Sequence, residues 1–474
     1  MSEQFDFVVI GAGSAGLLAA PLAAKLGVRV ALVERDRPGG DCLFTGCVPS
    51  KALLRVAQAA HDQRHAVRFG LAGSEPTVDM VQVSAHIQEV IGRIYEHDRP
   101  EALERQGVSV LLGAARFVDS HTIQAGGKLV RGKRFLLCTG SRPARPSIPG
   151  LDRVPYLTYE DLFTLKTLPR RLLVVGGGPV GVEMSQAFAR LGSMVTLIQR
   201  NASLLPAAES DCAGILTDVL RDEGVNVRLG LAAERVEQDG DAIAVVAGGE
   251  RFTGDALLVA TGRVPVVDGL GLERAGVAHG ARGIRVNAYL QTSQPHIYAC
   301  GDVIGGEQFT HLAATQAYQA TRNALLPGRT RTRSGPTPWA VFTDPEVARA
   351  GLTEAEARAR FGRDVRSYAL PLARVDRAQA SEDRHGLVKL IYRGNGTIIG
   401  AHIVAARAGE MLQEAIAAID QRKTLGQLAA AVHVYPTYAV GLQQAASYAL
   451  EESLFSGHRG RIVRVGLRLL TRLA

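Results

Sequence analysis

Apolar and polar positions along this chain fall into short blocks of two kinds. PheAspPheValValIle at 5–10 is a nearly continuous apolar run, the mark of a strand covered on both faces. It runs into a turn carrying Gly11, Gly13 and Gly16, then an Ala/Leu-rich stretch that reads as a helix, then ValArgValAlaLeuValGlu, a second strand ending at Glu34. The same order returns at ArgArgLeuLeuValValGlyGlyGlyProValGlyValGlu (170–183), with Gly176, Gly178 and Gly181, a helix, and the strand MetValThrLeuIleGlnArg. Between the two lie a helical region at 76–106 with largely polar faces, a strand pair in ValSerValLeuLeuGlyAlaAlaArgPhe, and an apolar strand at 134–143. Further apolar strands sit at 255–265 and 295–302, and from Trp339 onward strands and helices alternate without a glycine turn. Strand–helix–strand repeats predict an α/β protein whose parallel sheets are flanked by helices. ProSerIleProGlyLeu (146–151) reads as a linker and ArgThrArgThrArgSerGlyProThrPro (329–338) as a boundary. A chain of 474 residues has room for about three such domains.

Composition narrows the picture by exclusion. Hydrophobic residues make up 46% of the chain, as in a globular protein, and no apolar run approaches the roughly 20 residues of a membrane span. The net charge of +8 is arginine spread along the chain. No basic block interleaves with aromatics, so no nucleic-acid partner is expected, and a basic surface would attract anionic small molecules weakly. Only 5 cysteines, with one close pair, argue against a secreted disulfide scaffold. The first strand begins close behind Met1, which leaves no place for a signal peptide. The expected compartment is the cytoplasm.

The two glycine turns carry the first chemistry. A strand, a tight glycine turn and a helix bring a pyrophosphate to the positive end of the helix, and an acid at the end of the next strand takes a ribose hydroxyl pair. The first turn has that acid, Glu34; the second strand ends instead in Gln199 and Arg200. An arginine suits a 2′-phosphate, where an acid would repel it. Two turns predict two dinucleotides, and Arg200 favours NADPH over NADH; the plain alternative is an arginine in solvent.

GlyGlyAspCysLeuPheThrGlyCysValProSerLys (39–51) carries the second chemistry, in Cys42 and Cys47. On a regular helix five residues turn a side chain by roughly 140° and rise about 7.5 Å. That separation is too great for a disulfide, whose Cα atoms lie about 4.4–6.8 Å apart. The two thiols therefore stay apart, or a distorted turn, which Gly46 and Pro49 permit, brings them together. A cysteine at a helix start is favoured as thiolate.

With these motifs the chain resembles the FAD-dependent pyridine nucleotide–disulfide oxidoreductases, which include glutathione reductase, dihydrolipoamide dehydrogenase and mercuric reductase. The resemblance covers nearly the whole chain. It implies a discontinuous FAD-binding domain at 1–148 and 266–335, an NAD(P)H-binding domain at 149–265, and an α+β interface domain at 336–474 that forms a homodimer. It implies electron flow from NADPH through FAD to a Cys42–Cys47 disulfide, with Cys47 against the flavin as charge-transfer thiolate and Cys42 as interchange thiol. Lys51 and Glu183 would be the ion pair beside the isoalloxazine, favouring its anionic reduced form. FAD would be lined by Gly11, Gly13, Gly16, Glu34, Gly40, Lys51, Ala115, Thr139, Gly140, Asp302, Leu312 and Ala313. The second nucleotide would meet Gly176, Gly178, Gly181, Arg200 and Gly262. In the glutathione reductase pattern a second arginine completes the phosphate clamp; here that position is Pro206. No metal ligands are expected, and Cys138, Cys212 and Cys300 read as core residues.

The C-terminal pattern departs from the disulfide reductases. Those carry HisProThr and a glutamate, with the histidine protonating the leaving thiolate. HisValTyrProThrTyrAlaVal (433–440) puts Tyr435 at the histidine and Val440 at the glutamate. His433 is either a relocated acid or structural. Mercuric reductase also has a tyrosine at the place of Tyr435, and a second in a ProTyr stretch that Tyr156 matches; both could instead be packing residues. Against mercury stand the tail without cysteines, the missing N-terminal CysXXCys domain, and PheThr where AsnVal is common between the two cysteines. The closest resemblance is to the mercuric reductase core, with a soft metal ion or thiol-reactive compound as substrate. A small-disulfide reductase, and a redox sensor or membrane-associated flavoprotein, are the alternatives. The tail 457–474 places Arg461, Arg464, Arg468 and Arg472 beside an apolar stripe of Ile462, Val465, Leu469 and Leu473, interrupted by Gly466. It reads as a helix packed on the dimer or, less simply, touching anionic membrane.

Overall fold

The computed structural model describes residues 3–332 and 335–455. The chain forms two compact units, Met1–Ile198 with Ala232–Ser334, and Gln199–Leu231 with Gly335–Ala474. The tail whose arginine stripe was noted above lies outside the described residues.

The first unit is built on a seven-stranded sheet in the order Val108–Leu112, Val30–Glu34, Glu3–Ile10, Lys128–Leu137, Thr122–Ala125, Arg116–Asp119. The first four run parallel, with Phe7 opposite Val30 on one side and Arg134 on the other. Ile297–Ala299 pairs in parallel with the far half of Lys128–Leu137, which brings a late segment of the chain back to the first nucleotide turn. Alternate residues of the first strand enter different cores. Phe7 and Val9 pack with Ala19, Ala23 and Ala317, while Val8 and Ile10 pack with Phe117, Phe135 and Val303. Burial on both faces is the reason the strand is apolar throughout.

The second glycine turn has the same construction. Arg171–Val175 lies between Met194–Gln199 and Ala256–Val259, all parallel, with the helix Pro179–Leu191 following the turn. A three-stranded antiparallel ribbon, Ala233–Asp239, Ala242–Ala247 and Glu250–Gly254, is appended. Ser141–Pro143 and Arg263–Pro265 pair antiparallel, tying together the two places where the chain passes between these parts. The region 76–106 is two helices rather than one. Met80–Tyr95 is capped by the Asp79 carboxylate, which accepts from the Val81 N–H at 2.8 Å, and Pro100–Glu104 follows a break at Arg99, ψ 147°. A residue before proline is driven out of the helical region, which explains the break.

The second unit carries a five-stranded antiparallel sheet in the order Trp339–Val341, Glu346–Gly351, Ile398–Ala405, Leu387–Arg393, Val365–Pro371. Leu412 from Ala408–Asp420 and Leu442 and Ala446 from Val440–Phe455 pack on Leu390 and Ile403. Gln199–Leu231 belongs here for an electrostatic reason. Lys389, with a side chain only 10% exposed, meets Glu209 at 2.7 Å, Asp211 at 3.1 Å and Glu354 at 3.1 Å. Arg349 donates to the Ala207 carbonyl at 2.6 Å and to Glu356 at 2.5 Å. Buried charges persist only when paired, so these cations hold the segment to the sheet. Among the described residues no helix is long and apolar enough to cross a membrane.

Candidate active site

Cys42 and Cys47 do not share a helix. Cys42 lies in the short helix Gly40–Phe44, and Cys47 is the first residue of the helix Cys47–His65. The chain steps between them through Gly46, φ −120° and ψ −116°, where a Cβ would lie 2.9 Å from the Asp41 carbonyl oxygen. Glycine is what lets the step close, and the step removes the separation that a continuous helix would impose. Neither cysteine is in a disulfide here; Cys47 is exposed and Cys42 half-buried. The Cys42 S–H donates to Cys47, and the Thr310 hydroxyl lies 3.4 Å from the Cys47 sulfur.

That arrangement divides the charge. The Cys47 thiol is pushed down to about 6, first by the hydrogen bond from Cys42, then by Thr310 and the Lys51 ammonium, against an opposing effect of burial. Cys42 is pushed up, first by its role as donor to Cys47 and then by burial. The positive end of the helix lies on the same side as Cys47. Negative charge is thus favoured on the Cys47 sulfur and the proton on that of Cys42.

Lys51 stands one turn further along that helix and reaches the Glu183 carboxylate at 3.0 and 3.2 Å. Glu183, on Pro179–Leu191, is 7% exposed, against 36% for the lysine. The pair joins the helix after the redox step to the helix after the second glycine turn.

The first glycine turn fits an FAD. Gly11 has φ +103°, and a Cβ there would lie 2.4 Å from the Cys138 carbonyl oxygen; at Gly16 it would lie 1.9 Å from that of Gly11. A Cβ on Gly40 would lie 2.6 Å from the Gly13 Cα, so only bare backbone can form this cradle. Glu34 turns back over it, accepting from the Ala12 N–H at 2.7 Å and the Asp36 N–H at 3.1 Å. Asp302 follows the strand Ile297–Ala299 and accepts from the Ser141 hydroxyl at 2.5 Å. Thr139 donates to the Val266 carbonyl at 2.7 Å, Gly140 takes φ +72°, Ala115 and Leu312 are half-buried and Ala313 is buried. The second turn repeats the close approach: Cβ atoms on Gly176 and Gly181 would lie 2.4 and 1.8 Å from carbonyl oxygens, while at Gly178 nothing lies within 4 Å. Gly262 takes φ +131°. Gln199 is buried and donates to the Ser203 carbonyl at 3.3 Å, and Arg200 is exposed.

Five residues around the redox step went unread in the sequence. Thr310 begins the helix Thr310–Leu325. Asp41 accepts from the Tyr159 hydroxyl at 3.0 Å and from the Arg263 guanidinium. Arg263 also donates to the Ser141 hydroxyl at 2.7 Å and lies 4.5 Å over the Tyr159 ring. Asp41 was visible inside the cysteine motif and Thr310 just before Leu312. Tyr159 and Arg263 have no linear signal, because they meet Asp41 only through the fold.

The remaining candidates divide between the units. Tyr156 is half-buried in the first unit, on the segment whose Leu157 bridges Leu258. In the second unit Tyr435 is 67% exposed and donates to Asp376 at 2.8 Å. Val440 is buried at the start of its helix. His433 engages both ring nitrogens, Nδ1 with the Ala431 carbonyl at 3.0 Å and Nε2 with Glu414 at 2.8 Å. Burial works against its charge, but the Glu414 and Ala431 contacts prevail and its pKa is raised. With both nitrogens held by acceptors within its own unit, the imidazole has no further N–H to offer a leaving thiolate.

Residues 5–317 match the pyridine nucleotide-disulphide oxidoreductase family, and 337–446 match the dimerisation domain of the same family. The chain is 37% identical to a mercuric reductase of Bacillus cereus over 93% of its own length and 71% of that protein's. It is 36% identical to a dihydrolipoyl dehydrogenase of Thermus scotoductus, covering 94% of this chain and 97% of the other. Among solved structures, the Cu(II) complex of the HOCl-induced flavoprotein disulfide reductase RclA from Escherichia coli superposes with TM-score 0.86 at 30% identity, over 94% of this chain and 100% of that one.

Proposed function

This chain belongs to the pyridine nucleotide–disulphide oxidoreductase family, a FAD-dependent NAD(P)H oxidoreductase with a dimerisation domain, and from that premise we propose that it is an NADPH-preferring reductase of soft metal ions or thiol-reactive compounds. The observation that carries the reading is the Cys42–Cys47 step, closed at Gly46, with the Thr310 hydroxyl on the Cys47 sulfur and Lys51 one turn on, paired to Glu183. Bound FAD would relay an electron pair from the nicotinamide to this pair of sulfurs.

The chain's own residues do the rest. FAD would be held by residues 1–148 and 266–335 and the second nucleotide by 149–265, with Arg200 taking the 2′-phosphate. Lys51, buttressed by Glu183, presents a cation where negative charge accumulates on reduction. Cys42 would meet the substrate as the family's interchange thiol does, and its proton stays on sulfur until a metal ion or electrophile displaces it. A thiolate-bound soft metal needs no acid for a leaving thiol, so a tyrosine at 435 serves where a disulfide reductase needs a histidine. Tyr435 of one subunit and Tyr156 would attend the ion as it passes to the cysteines, making the active site one shared between chains. We place this chemistry in the cytoplasm, where NADPH is supplied. That a relative of this fold was solved as a Cu(II) complex and others are mercuric reductases favours a soft metal over glutathione disulfide.

The test is NADPH oxidation by the FAD-loaded dimer with Hg(II), Cu(II), glutathione disulfide, lipoamide and quinones as acceptors. Turnover with the metal ions and little with the disulfides is expected. Efficient glutathione disulfide reduction would overturn the substrate assignment, and a single reduction without turnover on any acceptor would make the protein a sensor.

A further inference from the structure

The residue just before Cys42 is an acid clamped from two sides. The Tyr159 hydroxyl donates to Asp41 Oδ2 at 3.0 Å, and the Arg263 guanidinium donates to the same oxygen. Arg263 is fixed in turn: Nε donates to the Ser141 hydroxyl at 2.7 Å, Nη2 to the Ser141 carbonyl at 3.3 Å, and Asp302 lies 3.7 Å away. The same Ser141 hydroxyl donates to Asp302 at 2.5 Å. One guanidinium therefore ties the redox step to the turn bearing Asp302, using strands far apart in sequence. The Asp41 backbone is engaged as well. Its carbonyl accepts from the Thr45 N–H at 2.9 Å and leaves no room for a side chain at Gly46.

The short helix needs such an anchor. It is five residues long, and it is entered through Gly39 at φ +129° and Gly40 at φ +60°. Helices this short have almost no stability of their own. Leu43 is buried and Phe44 lies against Tyr95 and Arg37, which hold the apolar face of the helix; Asp41 is its polar anchor and the one next to Cys42 in sequence. We propose that Asp41, gripped by Tyr159 and Arg263, is a positioning residue that keeps the Cys42 sulfur in hydrogen-bonding register with Cys47.

The proposal rests on the assignment of Cys42 and Cys47 as the redox pair and goes beyond it by saying what sets their unequal character. It also predicts a sign. Charged and titratable groups facing Cys47 are Cys42, Lys51 and Glu183; those facing Asp41 are Tyr159, Arg263 and Glu160. Removing a carboxylate that acted through its charge would lower a nearby thiol pKa. Removing one that acts by position would raise the Cys47 pKa, because the Cys42 hydrogen bond that lowers it most would be lost.

The experiment follows the pH dependence of iodoacetamide alkylation of Cys47 in the dithiol form of the holoenzyme, read by peptide mass spectrometry. The wild type is expected to titrate at about 6. In Asp41→Ala the midpoint should move up by a unit or more, about a tenfold loss of thiolate at acidic pH. Tyr159→Phe, which deletes one hydroxyl, and Arg263→Lys, which keeps the charge but not the fork, should move it the same way. Asp41→Asn keeps an acceptor oxygen for both donors and should stay near wild type. A midpoint that falls in Asp41→Ala, or one unmoved in both Asp41→Ala and Tyr159→Phe while Tm drops, overturns the proposal. A wild-type chain with no thiol titrating near neutrality would instead bring down the redox-pair assignment itself, so the two failures are distinct.

Discussion

The redox step in the first unit and the segment 433–440 in the second treat their protonatable groups in opposite ways. Around Cys47 the donors converge on one sulfur: Cys42, Thr310 and the helix start all stabilise its negative charge. Around His433 the acceptors converge on the imidazole, so its protons are spent inside the unit on Ala431 and Glu414. The first arrangement favours a nucleophile; the second makes a structural imidazole whose charge is favoured by Glu414. Tyr435, two residues on, is left as the exposed polar group of that segment, donating to Asp376. The difference teaches that electron delivery and substrate handling are separable here. On the proposed reading the family's electron-delivering groups are kept, and Tyr435 stands where the disulfide reductases carry their proton donor.

The largest effect is expected from breaking the first region. Cys47→Ala should remove acceptor turnover, on the order of 10⁴-fold or more, as losing a nucleophile does in other enzymes. In absorbance titrations, NADPH should produce a long-wavelength thiolate-to-flavin band in the wild type and none in Cys47→Ala. Cys42→Ala should show the band before any reduction, since the remaining thiolate is then free. A spectrum indifferent to both substitutions would falsify the role of the pair.

The next prediction sharpens the contrast from the other side. If the second region lacks an acid, Tyr435→His should raise glutathione disulfide or lipoamide turnover, by part of the roughly 10²–10⁴-fold that general acid catalysis supplies. Tyr435→Phe should lower metal-ion turnover with little change in Tm, because the tyrosine is exposed and its bond to Asp376 lies at the surface. Adding a glutamate at Val440 is a poorer repair, since that side chain is buried and a lone carboxylate there would be desolvated. Steady-state rates with each acceptor decide between these outcomes, and no gain in Tyr435→His would show that the missing acid is not what separates the substrates.

A smaller effect is expected at the second nucleotide turn. Arg200→Glu should shift kcat/KM from NADPH towards NADH by roughly tenfold to a hundredfold, the range of a charge-assisted hydrogen bond of about 1.5–3 kcal/mol. A wild type that already prefers NADH would show Arg200 to be ornamental.

The smallest is a pH effect on stability at His433. Its folded pKa is raised, so its ion pair with Glu414 stabilises the fold below the unfolded value of about 6.5 and is lost as pH rises through the folded pKa. The Tm gap between wild type and His433→Gln should therefore be wider near about pH 6 than near about pH 8.5. A gap independent of pH would mean that the histidine is held by packing alone, and the contrast with Cys47 would lose its electrostatic basis.

What the sequence determined by itself was local. Gly11, Gly13 and Gly16 between apolar strands, with Glu34 after them, can be read without a fold, because the turn, the helix start and the acid are all set within a few residues of one another. The same holds for Lys51 and Cys47, placed one helical turn apart by periodicity alone. Whether Cys42 and Cys47 could meet was not legible, since the answer lay in a backbone step at Gly46 that depends on the Asp41 carbonyl. The break at Arg99 is local too, since Pro100 drives the residue before it out of the helical region. The Lys51–Glu183 pair, expected from the family resemblance, is made across 132 residues, but only the tertiary structure decided that Tyr159 and Arg263 converge on Asp41 and that Glu414 takes the second nitrogen of His433. It also decided that Gln199–Leu231 joins the C-terminal unit, through Lys389 and Arg349. The physical reason is common to all of these. Turns and helix starts are specified by the residues that form them, whereas the charge state of a thiol or an imidazole is set by whichever donors and acceptors the fold carries to it from elsewhere in the chain.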